Sequence, residues 1–500
     1  MSISLSIAAS GKTMTSALIL VTQEEVSGFL RQDTLDLITS HTTSHAVSTV
    51  FKALQFAGKA GQACVHVAGD IPLVFVGLGA LDKKPVENME TLRRSLGTGY
   101  SQLNGLGVTE ASVSIPAETA FGLSRAQYLE QVTIILAMAS YQFIQFKKDK
   151  KTTDLALTLV GFDESDMAAI QTGMFMGEAI NKARTLADTP GNHMYPEIMA
   201  GVAADIAREY GLTYTVIEQN EARDMGMGCF YSVAKGSEHA GKIVVLEYNP
   251  SHIKDAPTIA FVGKGVCFDT GGISLKPSNY MTGMKYDMSG AAAVFATMEI
   301  IAQLKLDVRV VGITPLVENM PSGHASKQDD VVQAMNGLFV EIDNTDAEGR
   351  LILSDAMCYV QKKYDPAVMI DIATLTGSCA MTFGPFFAGL MTRDEALSKD
   401  LVDIGFFVGD KVWPLPLTDE YKPAIESTVA DISNSGSPAY KAGAITAGLF
   451  LEYFVDKGRR WAHLDIAGTD SKIPGTTYLG RGATGTGIRV LVEYARRFKK

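Results

Sequence analysis

The chain has 500 residues, of which 46% are hydrophobic and 20% are charged, as in ordinary globular proteins. This length exceeds that of most single domains, so two domains are expected. The net charge of −11 leaves no basic excess to neutralise phosphates, which argues against a general nucleic-acid-binding protein and against attraction to an anionic membrane.

Cysteine usage and hydropathy predict a cytoplasmic location. The five cysteines are widely scattered and form no Cys-x-x-Cys pair, which indicates reduced, buried thiols. No run of about 18 apolar residues is present, so we expect no membrane-spanning helix. The first residues lack a basic region ahead of their short apolar stretch, which disfavours a signal peptide.

The first third of the chain alternates short apolar runs with helical patterns, which predicts an α/β domain over residues 1–164. Strands are expected at 17–21, 73–76 and 155–160, and a helix at 128–146. The amphipathic stretch over 165–187 contains no proline and stops before Pro190-Gly191. That pattern is typical of a helix that connects two domains.

Strands and helices alternate more strictly after this connecting helix. We therefore predict a second domain over residues 188–500, with a mostly parallel central sheet that is flanked by helices. Strands are expected at 242–248, 258–262, 308–313 and 367–372, and helices at 196–210 and 291–303. Ligands bind at the carboxyl ends of the strands in such sheets, so functional residues are expected there.

Several charged residues follow predicted strands or precede a predicted helix. Lys264 lies between two glycines, which lets the backbone approach a ligand closely, and Asp269 comes five positions later. Each candidate also has a structural explanation: a solvated lysine in a glycine-rich turn for Lys264, and helix capping for Asp287. Ser289 competes for that capping role. Lys276 precedes Pro277 in a loop, and its alternative explanation is a simply exposed lysine.

The segment Asn344–Arg350 (NTDAEGR) follows an alternating apolar run and carries two carboxylates and an arginine at every second position. If the backbone stays extended, Asp346, Glu348 and Arg350 point to one face. Two adjacent carboxylates repel each other unless a proton or a cation joins them. A surface turn with solvated charges is the alternative interpretation.

The four carboxylates Asp269, Asp287, Asp346 and Glu348 would lie together at strand ends of one sheet. Oxygen ligands without histidine or cysteine suit a pair of Mg²⁺, Mn²⁺ or Zn²⁺ ions. Two such ions can clamp a carbonyl group and activate a water molecule. The sequence contains no HExxH, GxSxG or phosphate-loop motif, and we predict that His463 is a core residue rather than a ligand.

The string NTDAEGRL at 344–351 resembles the hallmark of the leucyl aminopeptidase family, the M17 cytosol aminopeptidases, and the similarity spans roughly residues 165–495. Further similar segments are VGKG at 262–265, FDTGGISLKP at 268–277, KYDMSGAAAV at 285–294, DTPGN at 188–192, WAHLDIAG at 461–468 and RGATGTGIR at 481–489. One departure is Gln328-Asp329, where the family usually has Pro-Gly; it touches no predicted ligand.

The resemblance implies a metal centre with five ligands. Asp269 and Glu348 would bridge two divalent ions, either Mn²⁺ or Zn²⁺. Asp346 would complete one site, and Lys264 and Asp287 would complete the other. As a ligand, Lys264 must be neutral, and burial beside two dications would depress its pKa.

The resemblance also implies roles for residues around the metals. Lys276 would polarise the scissile carbonyl, and Arg350 would hold a bicarbonate ion that acts as general base, which suits a guanidinium fork. Met284, Thr374 and Ala483 would line an apolar pocket for the first side chain, which rewards leucine by burial but discriminates weakly between similar side chains.

The implied activity is metal-dependent release of N-terminal residues, leucine and similar ones above all, from peptide substrates. A water that bridges the metals would attack the carbonyl, while the free amine of the substrate binds one metal. The family also implies a macro-like N-terminal α/β domain and a homohexamer. Two alternatives stay open: a two-metal phosphoesterase, and a DNA-binding or regulatory role, which some family members have but the acidic charge disfavours.

Overall fold

The structure is a computed structural model that describes residues 3–8, 16–39, 42–150, 154–253 and 256–498. The chain divides into two compact units, one of residues 1–181 and 474–481 and the other of 182–473 and 482–500. Both units combine sheets and helices, so the predicted α/β class is confirmed. The predicted domain limits, with a connecting helix over 165–187, remain predictions.

The first unit is built on a six-stranded sheet. Its strands are β1 (Ile3–Ala8), β2 (Ala17–Val21), β3 (Ala63–Ala68), β4 (Ile71–Gly77), β5 (Glu110–Ser114) and β6 (Leu155–Val160). Its helices are α1 (Gln23–Ser27), α2 (Gln32–Ile38), α3 (Ser44–Ala53), α4 (Pro85–Gly105) and α5 (Arg125–Ala139), followed by the start of α6 (Met167–Asp188). The spatial order is β1-β6-β5-β2-β4-β3, and only β3 with β4 pairs antiparallel.

The predicted strands of this unit are confirmed, but the predicted helix at 128–146 is wrong at its end. Helix α5 stops at Ala139; Ser140 is its C-terminal cap, and the Ser140 hydroxyl donates to the Ala137 carbonyl. The apolar residues after Ser140 extend the helical pattern in the sequence without extending the helix.

The second unit carries a nine-stranded sheet and a separate three-stranded sheet. Its strands are β7 (Thr213–Glu218), β8 (Lys242–Tyr248), β9 (Thr258–Gly263), β10 (Gly265–Asp269), β11 (Arg309–Asn319), β12 (Asp330–Gln333), β13 (Phe339–Ile342), β14 (Val368–Ala373), β15 (Ala388–Met391), β16 (Val412–Pro414), β17 (Ile432–Ser433) and β18 (Arg460–Asp465). Its helices are α7 (Pro196–Tyr210), α8 (Gln219–Asp224), α9 (Gly228–Ala234), α10 (Ser278–Met281), α11 (Ser289–Gln303), α12 (Glu348–Tyr364), α13 (Gly377–Phe383), α14 (Glu395–Val408), α15 (Gly443–Glu452) and α16 (Ile488–Arg497).

The large sheet has the order β16-β15-β18-β14-β9-β11-β8-β7, and β10 also pairs with β11. Its central neighbours β18, β14, β9 and β11 all pair parallel, as predicted, while the pairs of β8 with β11 and β7 and of β15 with β18 are antiparallel. The small sheet has the order β12-β13-β17.

Helices α11 and α12 cover opposite faces of the central strands. Alternate residues of β11 show this: Val311 and Ile313 share a hydrophobic core with α12, while a Cβ atom at Gly312 would meet the α11 side chain of Val294. Strand β9 is buried along its whole length, as expected for a strand covered on both faces. The candidate site lies where these strands end.

The cysteines of the chain are all free thiols, and only Cys358 is not fully buried. Within the described part of the chain, every helix is too short or too polar to span a membrane.

Because of the carboxylate of Asp355, inside helix α12, we expect the free energy of unfolding to depend on pH. Burial raises the pKa of Asp355 to about 7, even though the backbone N–H groups of Phe230 and Met335 donate to it. An unfolded aspartate has a pKa near 4, so folding favours the protonated form. The contribution of this group is complete below about pH 4 and falls by about 1.4 kcal/mol per pH unit until the pH passes about 7.

We expect Asp355→Asn to remove this dependence. The difference in free energy of unfolding between the wild type and this variant should shrink by roughly 2–3 kcal/mol between about pH 5 and 7. Denaturant titrations at both pH values measure it, with Asp365→Asn, at the exposed end of the same helix, as the matched control. A difference that stays constant with pH would contradict the assignment.

Candidate active site

Lys264 and Asp269 are placed by the ends of two strands. Lys264 lies between β9 and β10, where its N–H donates to Ile372 (3.0 Å) and its carbonyl accepts from Ala291 (2.8 Å). These two bonds tie the residue to β14 on one side and to α11 on the other. Asp269 is the last residue of β10. Both side chains are buried.

The ammonium of Lys264 joins residues from three separate segments. Its Nζ lies 2.8 Å from Asp287 Oδ1, 2.9 Å from Glu348 Oε1 and 2.9 Å from the carbonyl oxygen of Thr374. The chain can bring Glu348 this close because the next residue is Gly349, where a Cβ atom would lie 2.6 Å from Lys264 Cε. A side chain at position 349 would therefore push Lys264 out of this position.

Lys276 forms a second bridge between carboxylates. It lies in the loop between β10 and α10, and its Nζ is 2.7 Å from Asp269 Oδ2 and 2.5 Å from Asp346 Oδ1. The interpretation of Lys276 as a free, exposed lysine is therefore wrong. The Asp346 side chain is 33% exposed, which makes it the most accessible carboxylate of the group.

Asp287 does not cap helix α11, as one interpretation of the sequence suggested. It lies in a single 3₁₀ turn before the helix, and Met288 occupies the capping position. Its Oδ1 accepts from Thr374 Oγ1 (2.7 Å) in addition to Lys264. The carboxylate is therefore used inside the cluster and not at the helix end.

The prediction that Asp346, Glu348 and Arg350 share one face of an extended segment is wrong. Strand β13 ends at Ile342, and Glu348 already begins helix α12, so residues two apart diverge instead of aligning. Glu348 contacts Lys264, whereas the Arg350 Nη1 donates to the Asn434 carbonyl (2.8 Å). Strand β13 also belongs to the three-stranded sheet and not to the central one.

An asparagine far away in the sequence holds this segment in place. The side-chain oxygen of Asn434 accepts from the N–H groups of Asp343 (3.0 Å) and Asn344 (3.1 Å). Its amide donates to the carbonyls of Asn344 (2.8 Å) and Ala347 (3.3 Å). Asn434 is completely buried, and its partners lie on both sides of Asp346.

A second group of neutral side chains fixes Asp269. The Asn319 amide donates to Asp269 Oδ1 (2.9 Å) and to the carbonyl of Thr345 (3.0 Å). The Thr345 hydroxyl in turn donates to the carbonyl of Gly271 (2.6 Å). Because these bonds connect the end of β10 with the segment before α12, Asp269 and Asp346 keep their relative positions.

The cluster opens into one cavity of about 480 Å³, a size suited to a small ligand. The predicted site residues that line it are Lys264, Asp269, Lys276, Met284, Asp287, Asp346, Glu348 and Thr374. Two predicted residues are not among those that line it. Arg350 is buried, and Ala483 is buried with its N–H bonded to Asp188 Oδ1 (3.1 Å).

Burial and neighbouring charges shift the pKa values of Lys264 and Asp287. Burial alone would lower the pKa of Lys264, but Asp287 and Glu348 outweigh it and raise that pKa above its usual range. Burial also raises the pKa of Asp287, against the opposing effect of Lys264. From the sequence, a depressed pKa is expected for Lys264 on the condition that two dications are bound beside it. That lowered pKa stays a prediction.

The donor set fits divalent cations. Asp269, Asp346 and Glu348 each offer an oxygen, and the three oxygens lie within 4.8 Å of one another. Two further oxygens, Asp287 Oδ2 and Glu348 Oε2, are buried without a hydrogen-bond partner among the described residues. Buried carboxylate oxygens without partners are costly, and coordination of a cation would satisfy them.

His463 lies in the core, as predicted from the sequence. It is fully buried, and its Nδ1 lies 2.5 Å from Asp371 Oδ1. Asp371 also accepts from the Trp461 indole (2.7 Å), so the imidazole is held by a buried carboxylate. Asn319, Asn434 and the paired Asp371 were not predicted, since isolated polar residues in apolar or turn sequences carry no pattern.

Comparison with known proteins places both parts of the chain in one family. Residues 181–492 match the model of the cytosol aminopeptidase family catalytic domain, and residues 30–150 match that of the family's N-terminal domain. A protein of Geotalea uraniireducens named "Probable cytosol aminopeptidase" is 41% identical over 91% of this chain and 92% of its own length. One of the same name from Alcanivorax borkumensis is 42% identical over 80% and 84%.

Two solved structures are also similar. A mutant of tomato leucine aminopeptidase has a TM-score of 0.88 at 26% identity, covering 100% of this chain and 97% of that one. The bottromycin maturation enzyme BotP in complex with manganese has a TM-score of 0.83 at 28% identity, covering 96% and 99%.

Removing the Asn434 side chain should weaken metal binding. Asn434→Ala deletes four hydrogen bonds that hold the segment around Asp346, and loss of such supporting contacts typically lowers metal affinity about 10- to 100-fold. Titration calorimetry with Mn²⁺ measures the affinity. Asn336→Ala, at an exposed turn, is the matched control and should leave the affinity unchanged. Equal affinities for both variants would show that Asn434 does not position the ligands.

Proposed function

This chain belongs to the cytosol aminopeptidase family and is an aminopeptidase; we propose that it works with two divalent metal ions and prefers leucine and similar N-terminal residues. The observation that carries the two-metal proposal is the convergence of four carboxylates and two lysines on one cavity. Manganese is one candidate, since the similar enzyme BotP was solved with it, and zinc is the other.

The proposed ligands divide between two metal positions. Asp269 and Glu348 would contact both ions, Asp346 would complete one site, and Lys264 with Asp287 would complete the other. The partnerless oxygens of Asp287 and Glu348 support this division. When bound, the ions would supply the Lewis acidity that polarises the scissile carbonyl and activates a water molecule.

Lys276 is proposed to stabilise negative charge on the substrate carbonyl oxygen. Its side chain reaches the cavity, and Asp269 and Glu348 outweigh the effect of burial and raise its pKa above the usual range. Lys276 is therefore an ammonium at neutral pH. A fixed cation that faces the developing oxyanion lowers the barrier without any reorganisation during the reaction.

Arg350 is proposed to bind a bicarbonate ion that accepts and returns the proton. Its Nη1 is bonded to Asn434, but its Nε is buried and has no hydrogen-bond partner among the described residues. Burial lowers the pKa of Arg350 to about 10, so the guanidinium stays charged at neutral pH. A charged guanidinium with an Nε–H that is still available suits a planar anion.

The first side chain of the substrate is proposed to enter the part of the cavity lined by Met284 and Thr374. Ala483 is proposed to complete this pocket. Burial of an aliphatic side chain favours leucine, although such a pocket separates similar side chains only weakly. A two-metal phosphoesterase would need the same carboxylates, and membership of the family favours peptide substrates.

The cellular location and the oligomeric state of the protein are also proposed. We propose a cytoplasmic protein, supported by the names of its relatives and by five free cysteines. A homohexamer is proposed from the family alone. A DNA-binding role is disfavoured by the net charge of −11.

Leucine amide should be hydrolysed in the presence of Mn²⁺ or Zn²⁺, and a chelator should abolish the reaction. Asp346→Asn removes a charged ligand, so we expect kcat/KM to fall at least about 10³-fold and the metal content to drop. Asp343→Asn, three residues away and exposed, is the matched control and should stay active. Failure of the wild type to hydrolyse the amide under every metal condition would refute the proposal.

Bicarbonate should accelerate the reaction through Arg350. Removing dissolved carbonate should lower kcat of the wild type about 10²- to 10⁴-fold, the usual range for loss of a general base. Arg350→Met should already be slow and should not respond to added bicarbonate. If the variant responds as strongly as the wild type, the ion does not act at Arg350.

A further inference from the structure

The cavity has a fifth carboxylate, Asp470, that the proposed metal centre does not use. Asp470 lines the same cavity as the cluster, in the loop after β18. The lining of this cavity also includes the apolar or small residues Leu375, Gly377 and Ala467. A carboxylate in such a wall is costly unless something pairs with it.

The side chain of Asp470, and not its backbone, is the part available to a ligand. Its N–H donates to the Ile466 carbonyl (3.1 Å). Its carbonyl accepts from the Thr484 N–H (2.9 Å) and hydroxyl (3.2 Å). The backbone is thus fixed on both sides, and the carboxylate accepts a hydrogen bond from Ser471 Oγ (3.1 Å).

No basic side chain pairs with Asp470 among the salt bridges of the described residues. The two lysines that line the cavity, Lys264 and Lys276, are each bonded to two other carboxylates. Burial raises the pKa of Asp470 to about 7, and Asp465 acts in the same direction. A cation beside it would favour the ionised form and recover part of the cost of burial.

We propose that Asp470 determines specificity by pairing with the cationic end of a lysine or arginine side chain at the N-terminus of the substrate. This inference rests on the proposed function, because it assigns the substrate class of the same cavity. The aliphatic stem of such a side chain would pass Met284, and its charged end would reach Asp470. The pocket would then accept basic residues beside leucine.

The direct test compares two substrates that share a stem and differ in charge. Lysine amide and norleucine amide have the same four-carbon chain, and only lysine carries the terminal ammonium. The ratio of their kcat/KM values at about pH 8 isolates the contribution of the charge. We expect Asp470→Asn to lower this ratio about 10- to 100-fold, the range for a charge-assisted hydrogen bond in a sheltered site.

Two controls separate this effect from loss of structure. Asp205→Asn removes a mostly exposed carboxylate from α7 and should leave the ratio unchanged. Competition by free lysine and free norleucine, measured as inhibition constants, should show the same change of ratio without depending on the rate of the chemical step.

The outcomes distinguish failure of the proposed function from failure of the role proposed for Asp470. If neither amide is hydrolysed by the wild type under any metal condition, the proposed function fails and this inference fails with it. If both are hydrolysed and the ratio is the same in the wild type and Asp470→Asn, the inference alone is overturned. A preference for glutamine amide over lysine amide would also overturn it, because it would assign Asp470 a neutral, protonated role.

Discussion

The collection of acidic groups in one cavity is the constraint on which the second unit depends. Four carboxylates meet where strands of the central sheet end, and three of them are almost completely buried. Such groups repel one another and lose their hydration, so the fold tolerates them only with positive charge between them. Two lysines bridge them in pairs, and the same donors form a site suited to divalent metal ions.

The scaffold brings these residues together from distant parts of the chain. Buried parallel strands fix Lys264 beside β14, while the close approach at Gly349 lets the first turn of α12 reach that lysine. Neutral side chains then hold the loops: Asn319 ties β10 to the segment before α12, and Asn434 holds that segment from the other side. Metal binding and fold are therefore expected to be coupled, since the ligands lie on separate elements.

The sequence predicted which residues form the cluster more accurately than it predicted their arrangement in space. Apolar runs located the strands, because buried parallel strands leave a strong signal. The spacing of Asp346, Glu348 and Arg350 suggested one strand face, but local spacing cannot reveal that a helix begins at Glu348. Asn434 lies about ninety residues from its partners, so only the tertiary fold shows its role. Asp470 likewise became a candidate functional residue only because it lines the cavity.

The proposed metal centre has two ions that share Asp269 and Glu348. Crystals of the protein grown with Mn²⁺ and measured near the manganese absorption edge would test this arrangement. We predict two anomalous peaks per chain about 3.5–4 Å apart, both in contact with Asp269 and Glu348. A single peak, or two peaks that do not share these carboxylates, would contradict the two-metal account.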